Sequence, residues 1–399
     1  MEDDSITQKI KLIKIEEESS KGNKSKKKEK EIKRNYGIDL LRIFSMINII
    51  ILHINLFGKQ LNLNINNPKY KSIWLLETLA YWGVNGFGII SGIVGYKRYK
   101  FSNLVYIWIQ YCFYSVLISL YLYNNNKMNL KSLILSFFPL LILRHWYVNA
   151  YFSMYLLLPF INYGIMNLDR KIYKSIVLFF FLFYSVYNII AIILIKKNNY
   201  HFLNSGYSAF WLIILYIIGG YYGKYILENK KSLSFLKDSF FIIILILIYL
   251  GSSFFSSEIN FILLKKKSKI RNNLFIDYLS PTILLQAISL IILFSRLNIK
   301  NKWIIKLISF FTPLTFNVTL IHLRLFMEDI PIINKFFRYV NKLNSHYIFF
   351  KIYGLGIMIY IICAIMDYFR LLLFNLLRIK RICIFIEKIY LLLLDKINF

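Results

Sequence analysis

The feature that most constrains this chain is its succession of apolar runs. About ten stretches approach the roughly 20 residues that a helix needs to cross a bilayer. They lie at about 38–57, 76–96, 103–123, 146–165, 175–195, 207–227, 239–256, 279–296, 307–327 and 347–375 of 399 residues. No run of alternating polarity of the kind a membrane barrel needs is visible. The sequence therefore predicts an all-α fold, a polytopic transmembrane helical bundle. A shorter run at 133–143 carries a mid-run proline, Pro139, and reads as a re-entrant or interfacial piece.

Charge sets the expected topology. The formal net charge is +30, and 57% of residues are hydrophobic. The basic residues cluster in tails and in alternate loops such as YKRYK (96–100) and DRKIYK (169–174). By the positive-inside rule this predicts cytoplasmic N- and C-termini. One loop runs against the rule: KKKSKIR (265–271) falls outside in this scheme. Residues 1–34 read as a disordered basic cytoplasmic tail without a cleavable signal, 35–375 as the membrane domain, and 376–399 as an amphipathic basic tail on the inner leaflet. A nucleic-acid partner would need a soluble basic domain, and none is apparent. Cys112, Cys363 and Cys383 show no CxxC spacing and read as structural thiols. The five histidines have no i, i+3 or i+4 pairing, so no metal is expected. A tightly bound cofactor is not expected either.

The first apolar run, GIDLLRIFSMINIIILHI (37–54), nonetheless holds Asp39, Arg42 and His53. Ionisable groups inside spans mark function more often than not. Eleven helical steps separate Arg42 from His53, which puts them within roughly 20° of one face and about 16 Å apart along the axis. Asp39 shares that face, three residues before Arg42. An Arg at one end of such a stripe can grip an anion such as a phosphate, with Asp39 orienting its guanidinium. A His deeper in the span can move a proton. Snorkelling of both side chains to the interfaces is the bland alternative.

Four elements in order resemble acyltransferase family 3, the multi-span O-acyltransferases of surface polysaccharides. Asp39-Leu-Leu-Arg42, followed after ten residues by His53, is similar to the family's opening. FGIISGIVGY (87–96), HWYVNAYFSMYLLLPFIN (145–162) and TFNVTLIHLRLF (315–326) are similar to its later elements, with Thr319 where an aromatic is usual. The segment from Tyr147 to Ala150 departs from the pattern, which implies the branch with a bare membrane domain. The resemblance implies acyl-CoA, by default acetyl-CoA, as co-substrate and a glycan or lipid-linked saccharide hydroxyl as acceptor, at the plasma membrane. It assigns His53 to catalysis and Arg42 to the donor. Asp39 joins the donor site, as does Arg98 in a basic stretch thinner than the family's. Ser91, in a glycine-broken span, is a further candidate as an oxyanion stabiliser, set against plain packing by small residues. His145, Trp146 at an interface, and His322 within the ninth run complete the candidates. A carrier or flippase for lipid-linked glycans and a non-catalytic membrane subunit are the competing readings.

Overall fold

The computed structural model describes residues 34–97, 99–142, 145–195, 203–227, 239–266, 274–328, 330–344 and 347–396. The expected basic N-terminal tail, Arg98, and most of the KKKSKIR loop lie outside these residues. From Tyr36 onward the chain forms one unit, and no strand occurs among the described residues. The helices are α1 (Tyr36–Phe57), α2 (Tyr70–Ala80), α3 (Gly83–Gly95), α4 (Phe101–Asn124), α5 (Leu130–Leu135), α6 (Pro139–Ile142), α7 (Trp146–Asn167) and α8 (Arg170–Phe180). They continue as α9 (Asn188–Ile195), α10 (Ala209–Tyr222), α11 (Ser239–Lys265), α12 (Pro281–Ser295), α13 (Lys302–Phe311), α14 (Thr315–Met327), α15 (Pro331–Lys342), α16 (Ile348–Leu376) and α17 (Ile379–Lys396).

Eight helical stretches among the described residues are long and apolar enough to cross a membrane: 36–57, 70–95, 101–124, 170–195, 209–227, 239–265, 302–327 and 348–376. The 70–95 and 302–327 stretches each join two helices end to end. The other two expected spans take different forms. α7 has the length but is less apolar, and its Asn162 hydrogen-bonds inside the bundle. α12 is apolar but has only 15 residues, about 22 Å of rise, short of the roughly 30 Å hydrocarbon core. Pro281 starts it, because proline fits the first helical turn but cannot extend one backwards. The buried stretch before it, from Leu274 to Ser280, is non-helical. Such backbone survives at membrane depth only where protein satisfies it. Here the Asn85 amide donates to the Tyr278 carbonyl at 2.8 Å, and the Trp211 indole donates to Asn85 at 3.1 Å.

Side chains such as Phe160, Leu194, Phe240, Phe369 and Leu376 are each more than 60% exposed, which only a lipid solvent tolerates on this scale. Polar residues in the loops punctuate the helices. Asp169, Ser208 and Asn301 cap α8, α10 and α13 by accepting hydrogen bonds from backbone N–H groups of the first turn. The described part of the run at 133–143 belongs to two short helices, α5 and α6, with a break before Pro139.

α1 is the centre of the bundle. It packs against α2, α3, α12, α13, α14 and α16. α3 meets α10 backbone to backbone: a side chain at Gly92 would run into the Tyr216 carbonyl, and one at Gly219 into that of Ile89. The glycines of the second span are therefore used for close helix packing. α17 lies against α4, where the Tyr390 ring stacks on Phe101 at 4.4 Å.

Candidate functional site

Helical periodicity turns Arg42, Met46, Ile49 and His53 to one face of α1. In the bundle that face becomes the wall of a cavity of about 330 Å³. The same cavity is lined by Ser91 of α3, by His145, Trp146, Tyr147 and Tyr151 at the start of α7, by Tyr106 and Gln110 of α4, and by Asn317 and Thr319 of α14. Three elements far apart in sequence thus bring five of the expected residues, Arg42, His53, Ser91, His145 and Trp146, to one space. Arg42 is the one Lys or Arg among these lining residues. Asp39 stands behind it, one turn earlier, in an ion pair at 3.6 Å.

His322 joins through His53. The two rings meet at 2.8 Å between His53 Nδ1 and His322 Nε2. His322 Nδ1 lies 2.6 Å from the Val318 carbonyl one turn back on α14. A carbonyl only accepts, so His322 carries its proton on Nδ1. Neutral His322 then offers a lone pair on Nε2, and His53 must donate from Nδ1. The lone pair of neutral His53 is thereby fixed on Nε2, the atom that no described residue engages. Phe57 and Phe326 flank the pair, with ring centroids 6.1 Å from His53 and 5.7 Å from His322.

The remaining candidates divide. The Ser91 hydroxyl reaches the cavity but donates to the Phe87 carbonyl at 2.9 Å, so its proton is engaged by its own helix. His145 is buried and lies between the main cavity and a small polar pocket that also holds Ser119, Ser136 and Arg324. Trp146 packs at a tilt against a group of tyrosines, with its ring 4.6 Å from Tyr207 and 5.9 Å from Tyr278. Arg98, His201 and His346 lie outside the described residues.

Several lining residues escaped sequence reasoning. The Tyr147 hydroxyl is buried beside the cavity with no hydrogen-bond partner among the described residues. Tyr147 and Tyr151 are four apart, as are Tyr106 and Gln110, and this i, i+4 polarity in apolar helices was the available signal. Tyr278 gave none, since it sits in non-helical backbone.

The fold and the site give an all-α membrane bundle with a deep cavity that holds an oriented imidazole on its wall and a guanidinium toward one end. The family comparison makes the class specific. The family model described as an acyltransferase domain, that of acyltransferase family 3, matches residues 35–368. The chain belongs to this family and is a multi-pass membrane acyltransferase. No curated protein and no solved structure matches it.

Proposed function

We propose that the protein is an O-acyltransferase of the plasma membrane that moves an acyl group, by family default acetyl, from acyl-CoA to a hydroxyl of a cell-surface or lipid-linked glycan. The observation that carries this reading is the histidine relay, which leaves a lone pair on His53 Nε2 at the cavity wall. His53 takes the proton of the attacking hydroxyl, a contribution of roughly 10²–10⁴ in rate. The hydroxyl oxygen bonds to the thioester carbonyl carbon, the carbon–sulfur bond breaks, and the proton passes from His53 to the departing thiolate. His322 is a positioning residue: it holds the His53 ring and its tautomer and accepts part of the charge that develops on it. Arg42 binds donor phosphate, and Asp39 steadies its guanidinium. A cavity of about 330 Å³ is at the small end for ligand sites, so the thioester arm enters it while the bulkier phosphate head stays at the Arg42 end.

The test uses the full chain in nanodiscs with labelled acetyl-CoA. The expected result is saturable binding and slow release of acetate, with transfer when extracted cell-surface glycan is added. Absence of any acyl-CoA binding or turnover, with or without glycan, would sink the reading and favour a carrier for lipid-linked glycans.

A further inference from the structure

α7 begins in the middle of the bundle rather than at one of its ends. The short helices α5 and α6 turn back alongside α4, and the Tyr111 hydroxyl, near the middle of α4, donates to the Pro139 carbonyl at 3.3 Å. The His145 ring meets the same Tyr111 edge-on, with centroids 5.4 Å apart. Trp146 then opens α7, a helix of 22 residues. Trp146, Tyr147 and Val148, the first turn, all line the main cavity. Trp146 also borders a second cavity, of about 310 Å³, as does His53 but not Arg42. The start of α7 therefore stands at the His53 end of the main cavity.

Two kinds of donor face that end unsatisfied. First-turn N–H groups find no acceptor inside their own helix. In α7 the backbone ladder opens with the Asn149 N–H on the His145 carbonyl at 3.1 Å, and no side chain caps the end. Outside the helix, no carbonyl among the described residues accepts from Trp146, Tyr147 or Val148. At membrane depth such groups are costly unless something accepts from them, and they carry the positive end of the helix dipole. The second donor is Gln110 of α4. It is 6% exposed and lines the main cavity, and its carboxamide makes no hydrogen bond to any described residue. Its sequence neighbour Tyr111 packs on His145, which sets Gln110 at the level where α7 begins. A Met would fill the same space without burying two N–H donors and a carbonyl.

We propose that the first turn of α7 and the Gln110 carboxamide together form the oxyanion hole, which holds the thioester carbonyl oxygen while His53 acts on the attacking hydroxyl. The assignment rests on the acyl-CoA reading above. As the hydroxyl oxygen bonds to the carbonyl carbon, His53 Nε2 takes the hydroxyl proton and the carbonyl π-electron pair moves onto the oxygen. The N–H groups of α7 and Gln110 meet that negative charge as fixed dipoles, which need no reorganisation at the moment of reaction. The electron pair then re-forms the carbonyl, the carbon–sulfur bond breaks, and the thiolate takes the proton from His53. Arg42, the one Lys or Arg lining the cavity, stands at the other end. Dipoles rather than a cation therefore stabilise the oxyanion, and Arg42 is left to the donor phosphates.

The test uses the full chain in nanodiscs and acetyl-CoA labelled at its thioester carbonyl. Infrared difference spectra give the carbonyl stretch of the bound donor, and acetate release without glycan gives the rate. Donors on the oxygen lower the stretch below that of an acetyl thioester in an apolar solvent. Gln110→Met keeps the volume and removes two of those donors. It is expected to lower the maximal rate about 100-fold with the KM for acetyl-CoA held, and to reverse part of the wild-type stretch shift, α7 holding the rest. Gln110→Ala gives the same comparison should Gln110→Met fail to fold. If the variant keeps the wild-type rate and stretch, or raises KM with the stretch unchanged, the oxyanion assignment is overturned while the acyl-CoA reading stands. Loss of the whole shift in the variant overturns the part given to α7. If wild type neither binds acetyl-CoA nor releases acetate, the acyl-CoA reading falls and takes this assignment with it.

Discussion

Two of the sets of ionisable groups inside the bundle are built differently. Asp367 and Arg370 on α16 form a closed clasp. Asp367 accepts from Tyr114 at 2.7 Å, from Asn317 at 3.3 Å and twice from Arg370 at 2.8 Å, and Arg370 also donates to Tyr106 at 3.1 Å. Both residues are at most 3% exposed. The stripe on α1 borders open space: His53 has one ring nitrogen engaged, and both His53 and Arg42 line a cavity. Each set contains an i, i+3 Asp–Arg pair, at 2.8 Å and doubly bonded in the clasp but at 3.6 Å in the stripe. Sequence spacing is identical, and what differs is how closely the pair is drawn together and whether it borders a cavity. A saturated group holds helices together, whereas an unsaturated one facing a cavity can act on a ligand.

Substitution separates the two sets. The largest expected effect is that of His53→Ala, which should cost acyl transfer about 10²–10⁴-fold while the thermal unfolding midpoint in detergent barely moves. A matching loss of stability would place His53 with the clasp. Next comes Asp367→Ala, which strands a buried guanidinium and should destabilise the protein by about 3–5 kcal/mol, read from its unfolding midpoint. Replacing both partners, as Asp367→Leu with Arg370→Met, should recover most of that loss; failure to recover would mean that the clasp has a role beyond stability.

Two smaller effects sharpen the division inside the open stripe. Arg42→Ala should raise the KM for acetyl-CoA about 10–100-fold, as expected for loss of a charge-assisted hydrogen bond, with Arg42→Lys in between. An unchanged KM would remove Arg42 from the donor site. His322→Phe should lower kcat by about 5–10-fold with KM held, because the tautomer of His53 loses its anchor. His322→Gln retains an acceptor and should recover part of the rate, so equal loss in both variants would contradict the relay.

The all-α membrane class, the helix positions and the polar face of α1 were legible because they rest on local quantities: apolar run length, the 3.6-residue period and charge spacing. The same locality explains what went unread. The partnership of His53 with His322 spans 269 positions, and nothing in either segment specifies the other. The short α12 looked like an ordinary span at 279–296, because hydropathy cannot tell lipid-facing residues from residues buried in protein. The hydrogen bond of Ser91 to its own helix depends on a side-chain rotamer, which spacing does not give. The sequence by itself determined which groups are costly enough in a membrane to need partners. Only the tertiary structure decided which of them found all of those partners inside the protein and which were left facing a cavity, since hydrogen-bond saturation depends on neighbours that packing brings together.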